Sequence, residues 1–186
     1  MSAAQRRDER LPFAEVITLH QGAVYNYLLR FTRNPHDAQD LFQETFLRAY
    51  RAYAALPADA DLRAWLMRIA VNLSKNYVRD RQRRGRVLVD EEQGHSRDGA
   101  LLAEASADTE STMISRETAR TLLAAIEALP FRQRAALVQR QFEGLDYQTI
   151  AANLGCSLES ARAHVYQALR KLRLSLEHSG SDTKEV

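Results

Sequence analysis

The stretch from Tyr147 to Leu172 leaves this chain the least choice of fold. Tyr147, Ile150, Ala151 and Leu154 fall at the three- and four-residue steps of one apolar face on a short helix. Gly155-Cys156-Ser157 then makes a turn, and the Ser157 hydroxyl is placed to cap a second helix. Ala161, Val165, Ala168 and Leu172 recur at i, i+4, i+7 and i+11, which gives that second helix a buried stripe. Small Ala151 and Ala161 let the two helices approach closely. The helices are expected over Tyr147 to Leu154 and Leu158 to Leu176, and the pair is a helix-turn-helix.

The outward face of the second helix carries Glu159, Ser160, Arg162, Ala163, Tyr166, Gln167 and Arg170. Glutamine can pair with adenine, arginine with guanine, and a small alanine can touch a thymine methyl. Arg170, Lys171 and Arg173 suit phosphates, which fix register rather than sequence. The bland alternative, a helical hairpin with a solvated charged face, explains the charges but not the agreement of packing, turn and exposed chemistry.

The rest of the chain is helical by the same test. With only 7 Gly and 4 Pro in 186 residues, it lacks the turn residues of a sheet-rich fold. Phe13, Val16, Ile17, Leu19, Val24, Tyr27, Leu28 and Phe31 make an apolar stripe on one or two helices before the Asn34-Pro35 break. Ala38, Leu41, Phe42, Thr45, Phe46, Ala49 and Tyr53 share the buried face of the next helix, with Asp40, Glu44, Arg48 and Arg51 opposite. A helix from about Leu62 to Arg84 takes Leu62, Leu66, Ile69, Leu73 and Tyr77 as its core stripe, and Arg68, Asn72, Lys75 and Arg79 line its opposite face. Two further helices fall around Leu122 to Leu129 and Gln133 to Phe142. Between the halves, Gly85 to about Thr112 mixes Gly, Ser and acids and reads as a flexible linker with a short helix around Ala100 to Ala105. The expected fold class is therefore all-α: two small helical domains, residues 10–84 and 113–178, joined by a flexible acidic linker, 85–112, and followed by a disordered tail, 179–186.

The net charge of +2 does not by itself point to nucleic acid, but bases crowd Arg79 to Arg86 and Arg162 to Arg173. A single cysteine, Cys156, allows no disulfide within the chain and fits a reducing compartment. No secretory signal or bilayer-spanning stretch is present, so a cytoplasmic protein with no direct membrane insertion is expected. The five histidines have no close metal-ligand spacing, and no P-loop, dinucleotide turn or nucleophile elbow occurs. Neither catalysis, a metal, a cofactor nor a small-molecule substrate is expected.

Three runs in order resemble one family. Asp37-Ala-Gln-Asp-Leu-Phe-Gln-Glu-Thr-Phe-Leu-Arg-Ala-Tyr-Arg51 is similar to the core-binding helix of bacterial RNA polymerase sigma factors. Leu62 to Tyr77 resembles their minus-ten helix, and Ala128 to Arg134 with Phe142 to Tyr147 and the helix-turn-helix resembles their minus-thirty-five domain. The similarity is closest to the extracytoplasmic-function (ECF) subfamily, which keeps regions two and four. The resemblance implies that Asp37, Asp40, Leu41, Gln43, Glu44, Leu47 and Arg48 dock on the beta-prime clamp helices of core polymerase. It further implies that Arg68, Asn72, Lys75, Asn76 and Arg79 melt and read the minus-ten element, with Trp65 as a stacking residue or a core aromatic. The loop from Leu56 to Asp61 would cradle a flipped base. Minus-thirty-five contacts would come from Ser157, Glu159, Ser160, Arg162, Ala163, His164, Tyr166, Gln167 and Arg170, although His164 and Gln167 stand where the family often has bases. Implied partners are core polymerase, including its beta flap, promoter DNA and an anti-sigma factor. The rival reading is a stand-alone helix-turn-helix regulator, and a protein-only adaptor is a second rival.

Overall fold

In the computed structural model, residues 11–87 and 110–181 are described, and the side chains of 84–87, 110–117 and 178–181 are left aside. The described residues form helices and no strand: α1 (Phe13–Thr32), α2 (Pro35–Tyr53), α3 (Leu62–Val87), α4 (Glu110–Glu127), α5 (Phe131–Gln141), α6 (Tyr147–Leu154) and α7 (Leu158–Ser181). The chain divides into two compact units, 1–98 and 99–186. The first apolar stripe is one helix rather than two. α3 runs past the expected end at Arg84, α4 begins inside the expected linker, and α7 continues past the expected start of the tail at 179. The short helix expected around Ala100 to Ala105, and most of the linker, lie outside the described residues.

In the first unit, α1, α2 and α3 pack on one another. Asn34 ends one helix boundary and starts the next: its side chain accepts from the backbone N–H groups of His36 and Asp37, and Pro35 occupies the first turn of α2. The α1–α2 seam is aromatic. Phe13 meets Phe46, Tyr50 and Tyr53 at centroid distances of 6.5, 5.4 and 5.2 Å, and Phe42 meets Phe46 at 4.9 Å. Such pairs add about 0.5–1.5 kcal/mol each beyond simple area burial. The buried seam of α3 is Leu66, Met67, Ala70, Val71, Leu73 and Ser74. This corrects the expected stripe, because Leu62, Ile69 and Tyr77 are only half-buried. Two neighbouring helices, α1 and α2, cover α3, so its apolar band is wider than a single i, i+4 line and turns toward Met67 and Ala70.

In the second unit, α7 packs against α4, α5 and α6. Ala161, Val165, Ala168 and Leu172 are all buried, as the period requires, and Leu129 and Leu137 close on the last two. The turn between α6 and α7 depends on Gly155, whose φ of 60° and ψ of 51° suit glycine. Ser157 caps α7 by accepting from the backbone N–H of Ser160 at 3.1 Å, and Asp146 caps α6 through the N–H of Thr149 at 2.8 Å. One buried polar contact ties α5 to α6: Asn153 Nδ2 donates to Gln139 Oε1 at 2.8 Å. Gln139 is fully buried and Asn153 nearly so. Asn153→Ala would strand the Gln139 carbonyl away from water. The expected loss is about 1–3 kcal/mol in the second unit, read as faster amide hydrogen exchange across residues 131–172 with the first unit unchanged.

Candidate nucleic-acid interface

The exposed line on α3 is the clearest feature of the first unit. Arg68, Asn72, Lys75 and Arg79 are all exposed, opposite the seam that holds α3 to its neighbours. From Arg68 to Arg79 the line covers about 16 Å of helix. It offers cations and an amide with no competing apolar surface, the chemistry that phosphates and base edges need. Asn76 is half-buried at its margin. Trp65 is half-buried and lies 6.4 Å, centroid to centroid, from the ring of Tyr53. The loop before α3 is held by Asp61, whose carboxylate accepts from the N–H of Ala64 at 3.0 Å.

On α2, Asp40, Gln43, Leu47 and Arg48 are exposed, and Leu41 and Glu44 are half-buried. Leu47 is 44% exposed and Tyr50, one turn on, is 64% exposed, so an apolar step sits among the polar groups. Arg48 donates from Nε to Glu44 Oε1 at 2.6 Å, an i, i+4 pair that fixes both side chains along the surface. Asp37 differs from the rest. Its Oδ2 accepts from the Tyr77 hydroxyl at 2.8 Å, and Arg81 donates to the same hydroxyl oxygen at 3.2 Å. Burial first, and then the bond to Asp37, raises the Tyr77 pKa above the ordinary phenol value. Asp37 therefore fastens the start of α2 to α3.

On α7 the outward line is Glu159, Ala163, Tyr166 and Arg170, all exposed. Arg162 lies to one side, with its guanidinium 5.8 Å from the Tyr147 ring centroid, while Arg140 approaches the same ring at 4.7 Å. Ser157 and Ser160 are engaged with each other: besides the cap, Ser157 Oγ donates to Ser160 Oγ at 3.0 Å. Gln167 is exposed, but its Oε1 accepts from Gln133 Nε2 at 2.8 Å. His164 is half-buried rather than outward, and its Nδ1 is buried without a hydrogen-bond partner. Burial, then the nearby Arg132 cation, lowers its pKa below the ordinary imidazole value. Arg132, Gln133 and Tyr50 are thus site neighbours that sequence reasoning did not single out, and Tyr147, read as part of the apolar face of α6, also carries two guanidinium groups over its ring. Only Tyr50 had a visible signal, its three-residue step from Leu47.

Among the described residues, no group of three or more His, Cys, Asp or Glu could hold a metal ion, and no helix is long and apolar enough to cross a membrane.

Two family models match in chain order: Sigma-70 region 2 over residues 16–84 and Sigma-70, region 4 over residues 119–172. The RNA polymerase sigma-H factor of Pseudomonas aeruginosa is 32% identical over 176 residues, covering 93% of this chain and 90% of that relative. The ECF RNA polymerase sigma-E factor of Salmonella typhimurium is 32% identical over 167 residues, covering 88% and 85%. Among solved structures, the sigma factor RpoE in complex with the anti-sigma factor NepR from Bartonella quintana has the same fold, with a TM-score of 0.67 at 21% identity, covering 89% of this chain and 96% of that one.

His164 gives a pH prediction. Its folded pKa is depressed, so its contribution is present above the unfolded imidazole value and is lost as pH falls toward the folded one. Between pH about 7.5 and about 5.5 the urea midpoint of the second unit should fall, and His164→Gln should flatten that slope.

Proposed function

We propose, since this chain belongs to the ECF sigma factors of RNA polymerase, that each of its two units holds a different part of the initiation complex. The first unit, assigned residues 10–84, grips core polymerase through the exposed face of α2 and opens the minus-ten element with α3. The second, assigned residues 113–178, lays α7 in the major groove of the minus-thirty-five duplex. Residues 85–112 join the two, so binding of one unit raises the local concentration of the other at its own element. The observation that carries this reading is the basic line of α3, displayed on a unit that also presents the α2 surface.

On α2, Leu47 with Tyr50 supplies the apolar anchor, and Asp40, Leu41, Gln43, Glu44 and Arg48 surround it, aimed at the clamp helices of beta-prime. Asp37 acts from behind, by setting α2 on α3. On α3, Arg68, Lys75 and Arg79 neutralise the phosphates of a parting strand, and Asn72 with Asn76 offers amides to unpaired base edges. Trp65 stiffens the entry to α3 through Tyr53, beside the loop that receives a flipped base. On α7, Ala163 and Gln167 face bases, Arg162 and Arg170 face phosphates, and Ser157 and Ser160 hold the helix start. The beta flap is the polymerase partner of the second unit. The neighbouring solved structure is a sigma factor bound to an anti-sigma factor. A protein of that class is the inhibitor proposed here, acting in the cytoplasm.

The surfaces should separate on mutation. Arg68→Ala with Lys75→Ala should lower promoter opening by on the order of tenfold or more, measured by permanganate reactivity of unpaired thymines, with core affinity unchanged. Leu47→Asp should do the reverse, lowering core affinity by on the order of tenfold in a fluorescence titration. Equal loss of both by either variant would refute the division of labour.

A further inference from the structure

The first turn of α7 carries an acid, Glu159, on a face otherwise supplied with the bases Arg162 and Arg170. Glu159 is exposed and stands in line with Ala163, Tyr166 and Arg170, opposite the buried line of Ala161, Val165, Ala168 and Leu172. Among the described residues no cation pairs with its carboxylate. Arg162, the nearest base along the helix, leans instead toward the Tyr147 ring, 5.8 Å from its centroid. Glu159 is not needed as the cap either, since Ser157 Oγ already accepts from the N–H of Ser160 at 3.1 Å. An acid on a face that meets DNA is repelled by phosphates, so its place there calls for a partner that donates.

We infer that Glu159 is a specificity-determining residue of the minus-thirty-five domain, reading cytosine through its N4 amino group. The first residues of the second helix of a helix-turn-helix meet base edges, and Glu159 is the second residue of α7. An ionised carboxylate can only accept. On the major-groove edge guanine offers O6 and N7 and thymine offers O4, all acceptors, so neither base satisfies it. Adenine gives its N6 amino group but sets the acceptor N7 beside it. Cytosine gives N4 with no acceptor beside it on the same base. Over any other base, the charge loses water without gaining a donor. On unrelated DNA it simply opposes the phosphates. One side chain thus favours one base and weakens binding everywhere else. This rests on the reading that α7 enters the major groove.

An acid in the first turn also suits the helix dipole, and Glu159→Asp separates that role from base reading. It keeps the charge at the helix start but draws the carboxylate back by one methylene. The full chain with core polymerase would be used to select duplexes randomised across the minus-thirty-five region, for the wild type and for Glu159→Asp, Glu159→Gln and Glu159→Ala. The Glu159→Ala pool identifies the base pair that Glu159 reads, as the position that becomes indifferent. At that position the wild type should prefer cytosine on the contacted strand by about tenfold. Glu159→Gln should move the preference to adenine, whose N6 and N7 a glutamine matches. Glu159→Asp should lose most of the preference while keeping the wild-type urea midpoint of the second unit. In competition with an unrelated duplex, Glu159→Gln and Glu159→Ala should bind that duplex severalfold more tightly than the wild type, because an acid has left a phosphate-facing helix. Wild-type preference retained in all three variants would overturn the inference, assign Glu159 to the helix start alone and leave the domain assignment standing. So would a wild-type preference for guanine or thymine at the position that Glu159→Ala makes indifferent. Failure of the wild type to enrich any minus-thirty-five sequence would overturn the inference and the reading of α7 together.

Discussion

The second unit depends on one line of side chains. Ala161, Val165, Ala168 and Leu172 are the surface on which α4, α5 and α6 converge. Two of the four are alanines, and that is why the convergence is close: a larger residue at 161 would push α6 away and open the turn at Gly155. A core this small has little redundancy. Burying a leucine or valine contributes about 1.5–3 kcal/mol, and α7 supplies only one of each on this line. The remaining definition comes from polar fixtures: the caps at Asp146 and Ser157 and the buried Asn153–Gln139 bond. With these holding α7, its opposite face needs no part in folding and is left to carry Glu159, Ala163, Tyr166 and Arg170.

The first unit separates its tasks by helix face in the same way. α3 gives one side to α1 and α2 and keeps the other for Arg68, Asn72, Lys75 and Arg79. α2 buries Ala38, Thr45, Phe46 and Ala49 and exposes Leu47 among charges. The Asp37–Tyr77–Arg81 chain of hydrogen bonds joins the two functional helices directly. The Asp37 bond meets α3 at Tyr77, between Lys75 and Arg79.

Much of this was legible in the sequence because helices advertise their faces. The α7 stripe, the Ser157 cap, the Gly155 turn and the exposed line on α3 follow from spacing alone. The α3 core did not, since period 3.6 locates one line and cannot say that two partners will cover a band turned toward Met67 and Ala70. Helix ends were also misplaced: α3 runs through Gly85 to Val87, and α4 begins at Glu110, where neither Gly nor Pro marks a boundary. Contacts across long sequence separation stayed hidden. Nothing near Asp37 announces Tyr77, forty residues away, and nothing near Gln167 announces Gln133, thirty-four residues away. His164 was expected among the minus-thirty-five contacts by its place in a motif; it is half-buried, and its Nδ1 is out of reach of water. The family resemblance assigned roles to the α2 face that its chemistry alone did not distinguish from a solvated helix.

The most direct test of the central claim is run-off transcription with purified chain, purified bacterial core polymerase and fragmented genomic DNA. Discrete transcripts from specific start sites, present only when chain and core are combined, are the predicted result. Tight and specific duplex binding by the chain alone, with no start sites conferred on core polymerase, would contradict it and make the protein a conventional helix-turn-helix regulator.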